Sequence, residues 1–263
     1  MSNIVSRTLS VHQEHEFLLK LEIAGLSRGL AQRIIDLKGN DLAIKVVRLI
    51  QNDGFEPTTN QKRAREVMGK NFFGVEEAIK HFGINPTHQQ IEVLSEIPFS
   101  EAVLRQLKNT HILVAVFPLS ILEIRGKVEQ ELFNSKWDDL YNQSFAEERS
   151  EVAWQLICKT PVGNSEFKIW QEQQELIVEG NEVPSAHVMV YAIIGHCLAN
   201  GERLFQRTSV RTTSVSSIGN HIALGYFSPD GLRIISEPNS SRRPSPPPHP
   251  RAGFLGIASA RKP

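Results

Sequence analysis

Ile112-Leu113-Val114-Ala115-Val116-Phe117 is an unbroken apolar run, rich in β-branched side chains and ended by Pro118. That length and composition predict a strand buried on both faces. The residues ahead of it read as helices and those behind it as a mixture of helices and strands. The run therefore predicts an α+β chain: a helical region over residues 1–109 and a mixed α/β domain over residues 110–263.

Working back from the run, short helices are expected over residues 100–108, with Ser100 as N-cap, and over residues 87–97 and 75–82, the last closed by Gly83. Farther back, Phe17, Leu18, Leu21 and Ile23, then Leu30, Ile34, Ile35 and Leu37, recur at helical spacing. Gly39-Asn40 stops that pattern, and Asp41 can cap another helix in which Leu42, Val46, Leu49 and Ile50 share a face. Lys62, Arg63, Arg65 and Lys70 form a basic cluster ahead of Phe72-Phe73-Gly74. With the helices that follow, this gives the alternative reading, a helix-turn-helix DNA-binding protein with an α/β effector domain. Its second helix would present His88, Gln89, Gln90 and Glu92. It carries no Lys or Arg to meet phosphate, so nucleic acid is not the expected partner.

Working forward, the pattern predicts a polar helix over residues 127–148, a strand over 152–159, a helix over 168–177 and a strong helix over 186–205. Strands follow over 209–215, 221–227 and 232–235, punctuated by Gly219, Gly225 and Gly231. Residues 240–251 form a Ser/Pro/Arg-rich stretch without periodicity, and 254–260 reads as a last strand.

Composition narrows the function classes. The chain has 263 residues, 40% of them hydrophobic, which is ample for a packed core. Lys plus Arg and Asp plus Glu each total 29, so no global attraction to nucleic acid or anionic membrane is expected. Two cysteines, Cys158 and Cys197, are too few for a disulfide framework and fit a reducing, cytoplasmic setting. No apolar run is long enough to span a bilayer. His187, His196 and Cys197 are the nearest approach to a metal set. The two histidines lie roughly 13 Å apart along a helix, too far to share an ion unaided. Phosphate-loop and nucleophile-elbow patterns are absent. A non-enzymatic protein without cofactor is expected; a hydrolase with an unfamiliar site is a more remote reading.

From Thr208 to Ala260 only Glu237 is drawn from Glu, Lys, Gln, Met and Trp, types used freely in the preceding residues. All codons of those five types end in a purine. Repeated replacement of adenines in AAC or AAT codons would leave this signature. Within the window, alternation in residues 221–227 places Ile222 and Leu224 on one face and His221 and Ala223 on the other. Leu232, Ile234, Leu255 and Ile257 read as core. His221, Ala223, Tyr226, Ser228, Asp230, Arg233 and Ser236 read as outward.

The block Gly219-Asn220-His221-Ile222-Ala223-Leu224-Gly225-Tyr226-Phe227-Ser228-Pro229-Asp230-Gly231-Leu232-Arg233-Ile234, closing with Leu255-Gly256-Ile257-Ala258-Ser259-Ala260-Arg261-Lys262, resembles the C-terminal repeat of the variable proteins of bacterial diversity-generating retroelements. The stretch 188–210, with Gly201-Glu202-Arg203-Leu204-Phe205, resembles the section ahead of that repeat. In such systems an error-prone reverse transcriptase rewrites adenine positions of one gene. The resemblance implies a C-type-lectin-like fold over residues 110–262 and a diversified ligand-binding face made by the seven outward residues. The implied partner is a macromolecular target, a protein in the first instance. The resemblance implies nothing for residues 1–109. The Pro-rich residues 244–250 and the ending Arg261-Lys262, in place of Gly-Phe-Arg, depart from the better-known members.

Overall fold

The computed structural model describes residues 10–23, 26–29, 31–32, 59–240 and 254–262. The chain divides into two compact units, Met1–Glu56 and Pro57–Pro263. In the first, helix α1 (Val11–Ile23) forms where the apolar spacing predicts one. The helical pattern expected from Leu30 to Ile50 lies outside the described residues, apart from 31 and 32, as does most of the Ser/Pro/Arg-rich stretch.

The second unit opens with β1 (Thr59–Asn60), α2 (Gln61–Met68), β2 (Phe72–Phe73), α3 (Val75–Phe82), α4 (His88–Val93), β3 (Glu96–Ile97) and α5 (Glu101–Leu107). There follow β4 (His111–Val116), α6 (Ile121–Lys127), β5 (Ala153–Cys158), α7 (Trp170–Gln174), β6 (Asn181–Glu182) and α8 (Ala186–Asn200). The C-terminal elements are β7 (Thr208–Val215), β8 (His221–Ser228), β9 (Gly231–Glu237), β10 (Phe254–Ile257) and β11 (Ala260–Arg261). The fold is α+β.

The apolar run is β4, buried at every residue but its first. It sits in a five-stranded sheet of order β2-β4-β5-β11-β6, antiparallel to β5 from His111↔Cys158 to Val116↔Ala153. Phe72 and Phe73 pair in parallel with Leu113 and Val114. Phe73 and Phe82 both touch Tyr191 of α8, with ring centroids 5.9 and 4.6 Å away. A division at 109/110 therefore cuts through one core, and the compact unit begins at Pro57 instead. Residue texture changes at 110, but the short helices before it bury their apolar faces on the same sheet.

Helix α8 is buried at each residue from Ala186 to His196. Such all-round burial is characteristic of a helix inside a protein. It packs on β2 and β4 of the first sheet and on β7 and β8 of a second. It ends at Gly201, left-handed, whose N–H bonds Cys197 O; the continuation expected to Phe205 stops there. The polar helix expected over 127–148 is instead α6 followed by short 3₁₀ turns. The chain there is tied to the second sheet, Asn134 N–H donating to Leu232 O at 3.0 Å, which interrupts any helical ladder.

That second sheet has order β10-β7-β8-β9, with β10 parallel to β7 and the other pairs antiparallel. Val210, Ile222, Leu224, Leu232 and Ile234 join the main core from one face. Ala223, Ile235 and Leu255 form a smaller cluster on the other. The β7–β8 approach is close at Gly225, φ 153°, where a Cβ would lie 2.0 Å from Thr208 O. Among the described residues, no helix is long and apolar enough to cross a membrane.

Candidate binding face

The residues expected to be core on this sheet are all buried: Ile222, Leu224, Leu232, Ile234, Leu255 and Ile257 are 0–2% exposed. Of the seven expected outward, Asp230 is exposed and Ser228, Arg233 and Ser236 are half-buried. Ala223 is 0% exposed, His221 8% and Tyr226 9%, so the outward assignment fails for these three. Alternation separates the two faces of a strand but does not reveal whether the second face is covered. Here it is covered by the segment around α7. At Tyr226 the alternation itself lapses. The β8–β9 register shifts between Gly225 and Ser228, and Tyr226 has φ 46°.

The cover is held by Arg211 of β7, itself 0% exposed. Its Nη1 donates to Lys168 O at 3.1 Å and Gln173 Oε1 at 2.8 Å, and its Nη2 to Pro238 O at 3.0 Å. Gln173, also fully buried, donates from Nε2 to Ser165 O and Leu255 O at 2.7 and 3.1 Å. Bonds to a charged donor at this depth are stronger than neutral ones and fix geometry. Two side chains thus fasten residues 165–174 onto the sheet. The alternation pattern gave no sign of this, because a polar side chain in a strand reads as solvent-facing.

At the edge of the cover, the Trp170 ring stacks on His221, with centroids 3.6 Å apart and an interplanar angle of 22°. His221 Nδ1–H donates to Thr212 O at 2.9 Å. Burial lowers its pKa, the bond to the carbonyl opposes this, and the nearby Arg211 cation adds to the lowering, which favours a neutral ring. The adjoining β7–β8 turn projects outward. Ile218 is 77% exposed, Ser217 and Asn239 are exposed, and Ser236 Oγ bonds Ser216 Oγ at 3.1 Å. The turn is braced by Gln143 Oε1, which accepts from Ser217 N–H at 2.9 Å.

The seven expected residues do not form one patch. His221 and Ser236 lie near this turn, whereas Tyr226, Ser228, Asp230 and Arg233 gather toward the β8–β9 turn. The span from residue 221 to 228 is about 23 Å at strand rise. At that far end, the Arg233 guanidinium lies over the Tyr226 ring, 5.2 Å from its centroid. The turn bearing Ser217 and Ile218, rimmed by Trp170 and Asn239, offers mixed apolar and polar contact area on a braced backbone. This suits recognition of a macromolecular surface.

Elsewhere, several basic side chains pair with carboxylates. Arg63 pairs with Glu66 and Glu101, Arg65 with Glu76 and Glu77, and Lys70 with Glu202. His196 and His187, both buried, face different carboxylates, Glu202 at 3.4 Å and Glu148 at 3.8 Å. Ser185 Oγ lies 3.4 Å from His187 Nε2, but the 3.8 Å gap from Nδ1 to Glu148 exceeds hydrogen-bond reach. Among the described residues, no group of three His, Cys, Asp or Glu could hold a metal ion. Comparison with protein-family models, with curated proteins and with solved structures finds no match.

Proposed function

We propose that this protein is a non-enzymatic binding protein of the kind encoded by diversity-generating retroelements. In this reading its C-terminal domain is C-type-lectin-like and displays changeable side chains to a macromolecular target. One coincidence carries the reading. The stretch 208–260, where only Glu237 comes from the five purine-ending types, begins at the first residue of β7 and stops where β11 enters the other sheet. The restricted alphabet thus matches one sheet. The neighbouring sheet carries Trp154, Gln155 and Glu182.

The site in this reading is narrower than alternation implied. Ser217, Ile218 and Asn239 are its exposed centre, with Ser236 beside them, and Ser228, Asp230 and Arg233 form a separate accessible group. Ala223, His221 and Tyr226 serve as support. Changes at exposed positions usually cost under about 0.5 kcal/mol, so such a surface can vary without unfolding the sheet beneath it. The carboxylates facing Arg63, Arg65 and Lys70 reduce the positive potential that the DNA-binding alternative requires. Sequencing the genomic locus tests the proposal. A reverse-transcriptase gene should lie beside a near-copy of the segment encoding residues 208–260, with extra adenines at the codons for exposed positions. A locus with neither sinks it.

A further inference from the structure

On the other sheet, α5, β4, β6 and β11 border an open pocket of about 200 Å³ lined by Val103, Gln106, Leu107, His111, Asn181 and Arg261. Strand register explains the convergence. Arg261 pairs with both Leu156 and Asn181, and His111 pairs with Cys158, two residues along from Leu156. Side chains two apart on a strand share a face, so His111, Asn181 and Arg261 all rise from the same side of the sheet.

Arg261 is set in place but sparsely bonded. Its backbone is held between β5 and β6, and its guanidinium packs directly on Gly180, where a Cβ would lie 2.9 Å from Nη1 and 3.1 Å from Cζ. Gly180 has φ +79°, a conformation that further favours glycine. Among the described residues Arg261 has no carboxylate partner. Its one side-chain hydrogen bond is a long one, Nη1 to Asn181 Oδ1 at 3.5 Å. The carboxylate of α5, Glu101, pairs with Arg63 and Arg105. His111 Nδ1 is engaged by Thr110 Oγ1 at 2.8 Å. A fixed guanidinium fork with unused donors, amide groups at its flank and two aliphatic side chains opposite match a carboxylate bearing a short apolar chain.

We propose that this pocket binds a small organic carboxylate, the carboxyl group on Arg261 and the aliphatic part against Val103 and Leu107. The site is separate from the display face and does not depend on that reading. The carboxylate belongs either to a free acid or to the C-terminus of a peptide. Sodium isovalerate, isovaleramide and a blocked tripeptide ending in leucine can be titrated into the full chain. The His111 ring resonances, assigned with a His111→Asn variant, report occupancy, and calorimetry gives affinity. Isovalerate or the peptide should bind saturably with Kd in the millimolar range or tighter, while isovaleramide leaves the signals unmoved. Tighter binding of the peptide assigns the source to chain termini, and tighter isovalerate binding to free acids. Arg261→Gln should weaken binding at least tenfold. Val103→Asp, which supplies an internal carboxylate and leaves Arg261 in place, should do the same. Equal shifts with isovaleramide, no saturable shift with either acid, or wild-type affinity in a folded variant overturns the proposal.

Discussion

Ala223 shows how a single side chain separates pattern from structure. Its neighbours Ile222 and Leu224 point into the main core, and alternation therefore turns Ala223 away from it; yet Ala223 meets Ile235 and Leu255 and is fully buried. Ala223→Leu should overpack that small cluster and cost about 1–3 kcal/mol by chemical denaturation. Leu224→Ala should cost about 2–5 kcal/mol through lost burial and a cavity. Ile218→Ser, at a position 77% exposed, should change stability by less than about 0.5 kcal/mol. If Ala223→Leu is as silent as Ile218→Ser, the second face of the sheet is open and the segment around α7 does not cover it. At this scale the sequence was readable wherever an apolar residue met an apolar core. It was unreadable where a polar residue was buried by partners far along the chain, as with Arg211 and Gln173, because no local spacing links positions 211 and 173.

Among elements, the segment 161–174 depends on Arg211. Arg211→Ala leaves Lys168 O, Pro238 O and the Gln173 amide without their donor, at a cost of about 3–5 kcal/mol for a broken buried network. Hydrogen exchange should quicken first in residues 165–174, with the ladder between β7 and β8 still protected. Equal loss of protection in the strands would mean that Arg211 supports the sheet itself. A second junction links the loop after α8 to β5 and to the chain before β2. Glu202 accepts from Lys70 and Lys159, each at 3.0 Å. Burial opposes ionisation of Glu202, but the two ammonium groups and the His196 ring outweigh it and hold the carboxyl at about 2. A carboxyl whose pKa is depressed on folding adds stability that is present above its ordinary value near 4.5 and is lost as pH falls toward 2. Glu202→Gln should therefore destabilise, by no more than about 1 kcal/mol at neutral pH because Glu202 is one third exposed and Lys70 largely so, and the difference from wild type should shrink below pH 4.5. A difference independent of pH over that range would deny the charge its role. Strands and helices of this junction were mostly legible from periodicity. The two-residue β2 was not, since so short a strand carries no period.

For the whole molecule, the change of texture at 110 marks where strands begin, while the compact unit reaches back to Pro57 because β2 and α3 complete the core around β4 and α8. Limited proteolysis of the full chain should leave a resistant fragment beginning near residue 57; one beginning near 110 would restore the compositional boundary. Upon that unit rests the claim that one sheet is a scaffold and its outer turns are the changeable part. The most direct measurement is deep sequencing of the codons for residues 208–260 in a cell population carrying the gene. Substitutions should concentrate at Ser217, Ile218, Ser236 and Asn239, with Ser228, Asp230 and Arg233 as a second group. Ile222, Leu224, Ile234 and Ile257 should stay fixed. An invariant window, or variation spread equally over buried and exposed codons, would contradict it.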